Sequence, residues 1–280
     1  MSLTITAPNP QRAEQLADAL ENVQAARPIA MQVLQLADDP DTDARRIAAC
    51  IDQDPILMAQ VLRLANSAAF GMARQVRSTQ IAVAILGFAA IKSMAILVAS
   101  GLRNLKNPAP AGFWEHSAAV AAACSVISRQ FGVSAGDGFA IGLIHDIGVP
   151  MLNTIDPVTY AAISVDSVDD ESMCEREAAE FGLSHAHAAA TVLSNWSFPE
   201  SLVEAISGHH LAEPQYTNES RLLCAGDAIA HLALADGSRS DDKVHTRRLQ
   251  DIGFAKHDIS RIVGDVGGRS GGVLAGLLRG

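Results

Sequence analysis

Residues 138–150 read GFAIGLIHDIGVP. The run is apolar without alternation of apolar and polar positions, which suits a buried helix better than a half-buried strand. A helix is predicted over roughly residues 138–146, ended by Gly148 and Pro150. His145 and Asp146 stand at its end, with Gly142-Leu143-Ile144 before them and Ile147 after. A polar pair in an apolar helix must find partners. An imidazole nitrogen and a carboxylate oxygen placed side by side can reach one divalent cation. The plain alternative for the dipeptide alone is a capped, solvated helix end.

Helix signals continue on both sides. Asp54-Pro55 reads as an N-cap and first-turn proline opening PILMAQVLRLANS, and Gly71 suits a chain reversal. Ser78 can cap the apolar stretch that follows. FWEHSAAVAAACSVISRQF runs to Gly132, a C′ glycine. Asp156-Pro157 opens a short helix, and Asp169–Phe181 is another, stopped by Gly182. Ser184 caps HAHAAATVLSNW, Pro199 opens ESLVEAISGHH, and Asn218 or Ser220 begins RLLCAGDAIAHLALA. No stretch alternates strictly enough to predict a sheet, so the fold class is all-α. Residues 264–280, GDVGGRSGGVLAGLLRG, read as a loosely ordered tail docking through Val273, Leu274, Leu277 and Leu278.

Bulk properties agree with a helical core. The 280 residues are 49% hydrophobic, 19% charged and 4% aromatic. Small apolar side chains at that density favour closely packed helices. The net charge of −10 speaks against direct nucleic-acid binding. The nearest basic run, Thr246-Arg247-Arg248, reads as a solvated helix face. Residues 81–102, IAVAILGFAAIKSMAILVASGL, are long enough to span a bilayer, but Lys92 near the centre favours a buried helix kinked or closely packed at Gly87. Cys50, Cys124, Cys174 and Cys224 form no C-x-x-C pair and read as reduced core residues. With no basic n-region or apolar h-region at the N-terminus, no signal peptide and a cytoplasmic location are expected.

A soft boundary falls at Asn107–Gly112, and all nine histidines follow it. The expected organisation is an extension over 1–22, an N-terminal helical module over 23–107, a histidine-bearing helical module over 108–237, and C-terminal helices with a glycine-rich tail over 238–280. Asp227 lies in a helix apolar on nearly all sides, so it needs a cation or donors; a simple pair with His231, four residues on, is an equal reading. His116 alone would be a core histidine. His185 and His187 lie two apart, so one of them points inward. His209 and His210 end a helix, where a plain C-terminal cap is the alternative. Together these residues form a ladder on successive helices, the way helical bundles build metal sites.

On these residues the chain resembles the HD superfamily of metal-dependent phosphohydrolases. The resemblance implies a divalent metal held by His116, His145, Asp146 and Asp227. Iron, manganese, zinc and nickel all suit the mixed nitrogen and oxygen set. Residues 52–71, DQDPILMAQVLRLANSAAFG, are similar to the hallmark of the HDOD branch, as are IAVAILG at 81–87, FWEHS, GLIHDIG and LSHAHAAATVLSNWSFPESLVEAISGHH. The implied fold is a multi-helix HD-like bundle with an N-terminal helical HDOD module. Arg63, Asn66 and Ser67 also read simply as a helix end, bracing one module against the other. His185, His209 and His210 match second-metal positions of the related HD-GYP branch. LAEPQY replaces the Gly-Tyr-Pro motif after His210, and Val149 stands where a lysine is usual, which speaks against cyclic-di-GMP hydrolysis.

Two functions follow from the resemblance. One is a regulatory output module in signal transduction, as in two-component systems, acting through protein partners with a receiver domain or sensor upstream. Residues 1–22 are too few to be a receiver themselves. The other is a metal-dependent phosphohydrolase acting on a nucleotide or other phosphoester.

Overall fold

Side chains at the helix ends explain where this chain turns. In the computed structural model, which describes residues 10–22, 28–72, 75–99, 109–166, 170–196, 198–210, 217–235 and 242–278, Asp54 accepts from the amides of Ile56 and Leu57 and caps α4 (Pro55–Ala65). Such a cap is worth about 1 kcal/mol. Asp43 caps α3 (Ala44–Ile51), Ser134 caps α8 (Ala135–Ile144) and Ser184 caps α12 (His185–Asn195) in the same way. Thr217 caps α14 (Asn218–Leu234). The chain leaves helices at Gly132 and Gly182 with φ of 70° and 87°, a left-handed conformation that favours glycine.

The other helices are α1 (Pro10–Asn22), α2 (Pro28–Asp38), α5 (Thr79–Leu86), α6 (Phe88–Ala99), α7 (Phe113–Ile127), α9 (Gly148–Ile155), α10 (Pro157–Asp166), α11 (Asp170–Phe181), α13 (Glu200–Ser207), α15 (Asp242–Ile252) and α16 (Lys256–Leu278). Among the described residues every regular element is helical. α7 is the axis of the molecule: Ala118 through Cys124 are completely buried, and α8, α14 and α16 pack around it. Its alanines allow close crossing. At Gly142 of α8 an added Cβ would stand 2.6 Å from the Val120 carbonyl oxygen.

Two expectations are corrected. The apolar stretch from residue 81 is not one kinked helix: α5 and the described part of α6 meet at 108° across Gly87, where φ is 80°. Residues 100–102 lie outside the described residues. Lys92 is buried there because Asp38 neutralises it and the Phe198 ring lies 4.5 Å below its ammonium group. The stretch 135–155 is also long and apolar, and most of it is buried inside the bundle.

The glycine-rich C-terminus is not a loose tail. Residues 256–278 form one 23-residue helix, α16, with Ile259, Ile262, Val266, Val273 and Leu277 buried. It packs on α7 and crosses α4, where Gly272 lies against Ser67 and Ala68, and Gly276 against Leu64. Leu274 is half-buried but Leu278 is exposed, so not all four predicted docking residues dock. Apolar burial on α7 outweighs the low helix propensity of glycine.

Asn66 ends α4 as its residue type suggests. Its amide nitrogen donates to Leu62 O and Val76 O, and its oxygen accepts from Val76 N. α1 is docked by Arg12, which donates to Asp156, Thr159 and Glu180.

Candidate metal centre

α7, α8, α12, α13 and α14 deliver their polar residues to one place. α7 carries His116, the turn after α8 carries His145 and Asp146, and α12 begins with His185. The turn after α13 carries His209 and His210, and α14 carries Asp227. Gly148 makes this convergence possible. A Cβ there would lie 2.0 Å from the His185 carbonyl oxygen, so only glycine lets the 145–148 turn rest on the start of α12.

All seven residues named from the sequence converge, in two groups sharing an edge. His116, His145 and Asp227 form one group, and Asp146, His185, His209 and His210 the other; within each, one ligand atom per residue lies within 4.8 Å of the rest. Asp146 lies between them. Its Oδ2 is 3.2 Å from His145 Nε2 and 3.6 Å from His116 Nε2. Its Oδ1 is 3.3 Å from His209 Nε2 and 3.4 Å from His185 Nε2. Asp227 Oδ1 is 3.2 Å from His116 Nε2, and His210 Nε2 is 3.0 Å from His185 Nε2.

The far nitrogens of three rings are committed. His145 Nδ1 donates to Gly142 O at 2.9 Å and His209 Nδ1 to Ile206 O at 2.6 Å. His185 Nδ1 donates to Glu177 Oε2 at 2.7 Å. A carbonyl or carboxylate oxygen only accepts, so these rings carry their proton on Nδ1. Each ring turns its other nitrogen, Nε2, toward Asp146. Burial holds His145 below the ordinary histidine value, against the pull of Asp146, and so keeps it neutral. Burial also lowers His210, helped by His209 and His185. Burial opposes ionisation of Asp146, but His145 and the other imidazoles outweigh it, and its carboxyl lies well below the usual range. Asp227 is likewise lowered despite burial, by His231 and then His116.

The pair Asp227–His231 exists, at 3.5 Å, but Asp227 also faces His116, so the simple pair does not account for it. His185 is buried and His187 exposed, as their spacing predicts. Glu177, fully buried on α11, was not anticipated: Oε2 accepts from both His185 N and Nδ1, and Oε1 accepts from Tyr160 Oη at 3.1 Å. Burial and the nearby Glu177 push the Tyr160 hydroxyl up, keeping it a donor. The signal was present: Glu177 lies between Met173, Cys174 and Phe181 at helical spacing, a carboxylate within an apolar stripe. Cys174 departs from the expectation of a plain core thiol. It is half-buried and grouped with Glu177 and His185. A cavity of about 540 Å³ opens over the two groups, lined further by Phe113, Val149, Tyr160, His231 and His245.

The helical bundle with a His-Asp turn, a histidine on a preceding helix and an aspartate on a later one agrees with the HD pattern that the sequence resembles. The family model for the HDOD domain matches residues 25–212, two thirds of the sequence, and the chain belongs to the HDOD domain family. A candidate phosphohydrolase from Shewanella amazonensis shares the fold, with a TM-score of 0.72 at 21% identity over 95% of this chain and 98% of that one. The MmoQ response regulator of Methylococcus capsulatus is 26% identical, with a TM-score of 0.51 over 86% of this chain and 97% of that one. An uncharacterised protein of Treponema pallidum is 22% identical over 228 residues, 79% of this chain and 44% of that protein. The chain thus spans less than half the length of the curated relatives it matches, 44% and 20%.

Proposed function

We propose that this chain is a regulatory output module of signal transduction built around a divalent-metal centre. The observation that carries the metal is the set of three Nε2 atoms facing one carboxylate at 3.2–3.4 Å, with the Nδ1 of each ring held by another acceptor. Imidazole nitrogens and a carboxylate gathered in this way are a ligand set suited to a divalent cation lying among them. Ligand atoms about 2.1 Å from one ion, at angles near 100°, stand about 3.2 Å apart, so the spacing fits. His116, His145, Asp146 and Asp227 would hold one ion, and Asp146, His185, His209 and His210 a second. Iron, manganese, zinc and nickel suit the set. Membership of the HDOD family and the likeness to a response regulator support the signalling role, exercised through protein partners downstream of a receiver or sensor.

Elemental analysis of protein purified without added metal, followed by titration, tests the centre. One or two bound ions are expected in the natural chain, with a large loss in Asp146→Ala. A chain that holds no metal under either condition refutes the reading.

The open cavity favours one second reading, metal-dependent hydrolysis of a phosphoester. A bound ion would supply Lewis acidity toward a phosphoryl oxygen. His116, Asp146, His185, His210 and Asp227 would present that oxygen to the cavity, and Phe113 and Tyr160 would wall it off from water. Turnover of a nucleotide or phosphoester that Asp146→Ala abolishes would establish it in place of a purely regulatory role.

A further inference from the structure

We propose that His231 is an additional ligand of the first group, on the cavity side, and that His245 holds it in place. The inference rests on the metal reading above. His231 follows Asp227 by one helical turn on α14, so both side chains leave the same face. Its Nε2 stands 3.5 Å from Asp227 Oδ1, the oxygen that is 3.2 Å from His116 Nε2. The His231 ring lies 5.0 Å from that of His116, matching the 5.2 Å between His116 and His145. Asp227 Oδ1 therefore meets two imidazoles, not one.

The second observation comes from a different helix. His245 on α15 stacks flat on His231, with centroids 4.5 Å apart and planes 7° from parallel. His231 is one third exposed at the cavity wall, where a solvated side chain would exchange rotamers freely. A parallel ring behind it removes that freedom and keeps its Nε2 edge toward Asp227. A surface pairing of Asp227 with His231 accounts for one distance. It leaves unexplained the shared oxygen, the neighbouring His116 ring and the stacked brace.

With His231 included, and with Asp146 counted for both ions, the first position offers three imidazoles and two carboxylates, against three imidazoles and one carboxylate at the second. The added nitrogen favours zinc, iron or nickel over manganese at the first position. It also occupies a position on the side from which an oxygen ligand in the cavity would arrive. The first ion would then be the more closed of the two, and the second the one that meets an incoming group.

Long-range proton–nitrogen spectra of the full chain, recorded as zinc is added to the metal-free protein, read each imidazole separately. His231→Ala and His245→Ala assign the signals. The His231 Nε2 resonance is expected to move together with those of His116 and His145. His231→Ala is expected to weaken the tighter of the zinc-binding steps by about tenfold or more, since even losing a residue behind a ligand costs 10–100-fold. His245→Ala should do the same more weakly. If the His116 and His145 signals move while His231 stays, the inference is wrong and the metal centre stands. If no imidazole moves and no zinc binds, both fail.

Discussion

A carboxylate buried as completely as that of Glu177 survives only with several donors, and it has three: His185 N, His185 Nδ1 and Tyr160 Oη. Its effect falls on His185, whose ring orientation and proton position it sets. Glu177→Gln keeps the volume but removes the charge. We expect about a 10- to 100-fold loss of metal affinity with the fold intact, read by chelator competition alongside circular dichroism. Gly148 acts through absence of a side chain. Gly148→Ala would push the 145–148 turn off His185, because the nearest obstacle is backbone that cannot rotate away. Overpacking of this kind costs about 1–3 kcal/mol, read as a lower urea midpoint. It should separate Asp146 from His185 and cut the number of ions bound. An alanine variant with unchanged stability and stoichiometry would contradict this account.

At the scale of the element, α16 shows propensity losing to burial. Six of its residues are glycine, at 264, 267, 268, 271, 272 and 276, and each costs a helix about 1 kcal/mol relative to alanine. The helix forms because its apolar residues recur at 259, 262, 266, 273 and 277 and cover α7. The glycines do different work. Gly272 and Gly276 face α4, whereas a Cβ at Gly267 meets nothing within 4 Å. Gly267→Ala is therefore expected to stabilise the protein by about 0.5–1 kcal/mol, measured as a raised denaturant midpoint. A destabilised variant would place another surface against that side of α16. The segment at residues 52–71 is also clearer as an element than as a site. Asn66 closes the turn through Val76, and Arg269 of α16 donates to the carbonyls of Ala68 and Ala69. It braces the N-terminal helices against the helix packed on α7.

Across the whole molecule, the buried titratable groups make stability depend on pH in one direction. His145 and His210 are held below the ordinary histidine value of 6.5, and Asp146 and Asp227 below the ordinary carboxylate value of 3.8. Each group is easier to protonate in the unfolded chain. The stability each contributes is complete above its unfolded value and is lost as pH falls toward the folded one. The metal-free protein is thus expected to weaken first as pH drops below about 6.5, from the two histidines, and again below about 4, from the two aspartates. Urea denaturation of metal-free protein at several pH values between 8 and 4 checks this. A midpoint that rises or stays level between pH 7 and pH 5 would contradict the neutral state of those rings. Bound metal should raise the midpoint at neutral pH and lose that advantage in acid, because protons and metal compete for the same atoms.

The sequence by itself determined the helical class, the caps at Asp54 and Ser184, the HDOD resemblance and the seven candidate ligand residues. Each is written in a local feature: a residue type at a helix end, or a polar residue inside an apolar run. It showed Glu177 only as a carboxylate in an apolar stripe whose acidic neighbours look like a solvated face, and it did not reveal the stack of His245 on His231. It also misled about the glycine-rich C-terminus and about the sharp break at Gly87. Those outcomes depend on which face of one helix meets another, and on how close two backbones can come. Whether Asp227 answers to His231 alone or to a cluster was likewise open in the sequence. It was decided when α7 brought His116 within 3.2 Å, a contact between residues more than a hundred positions apart that only packing can make.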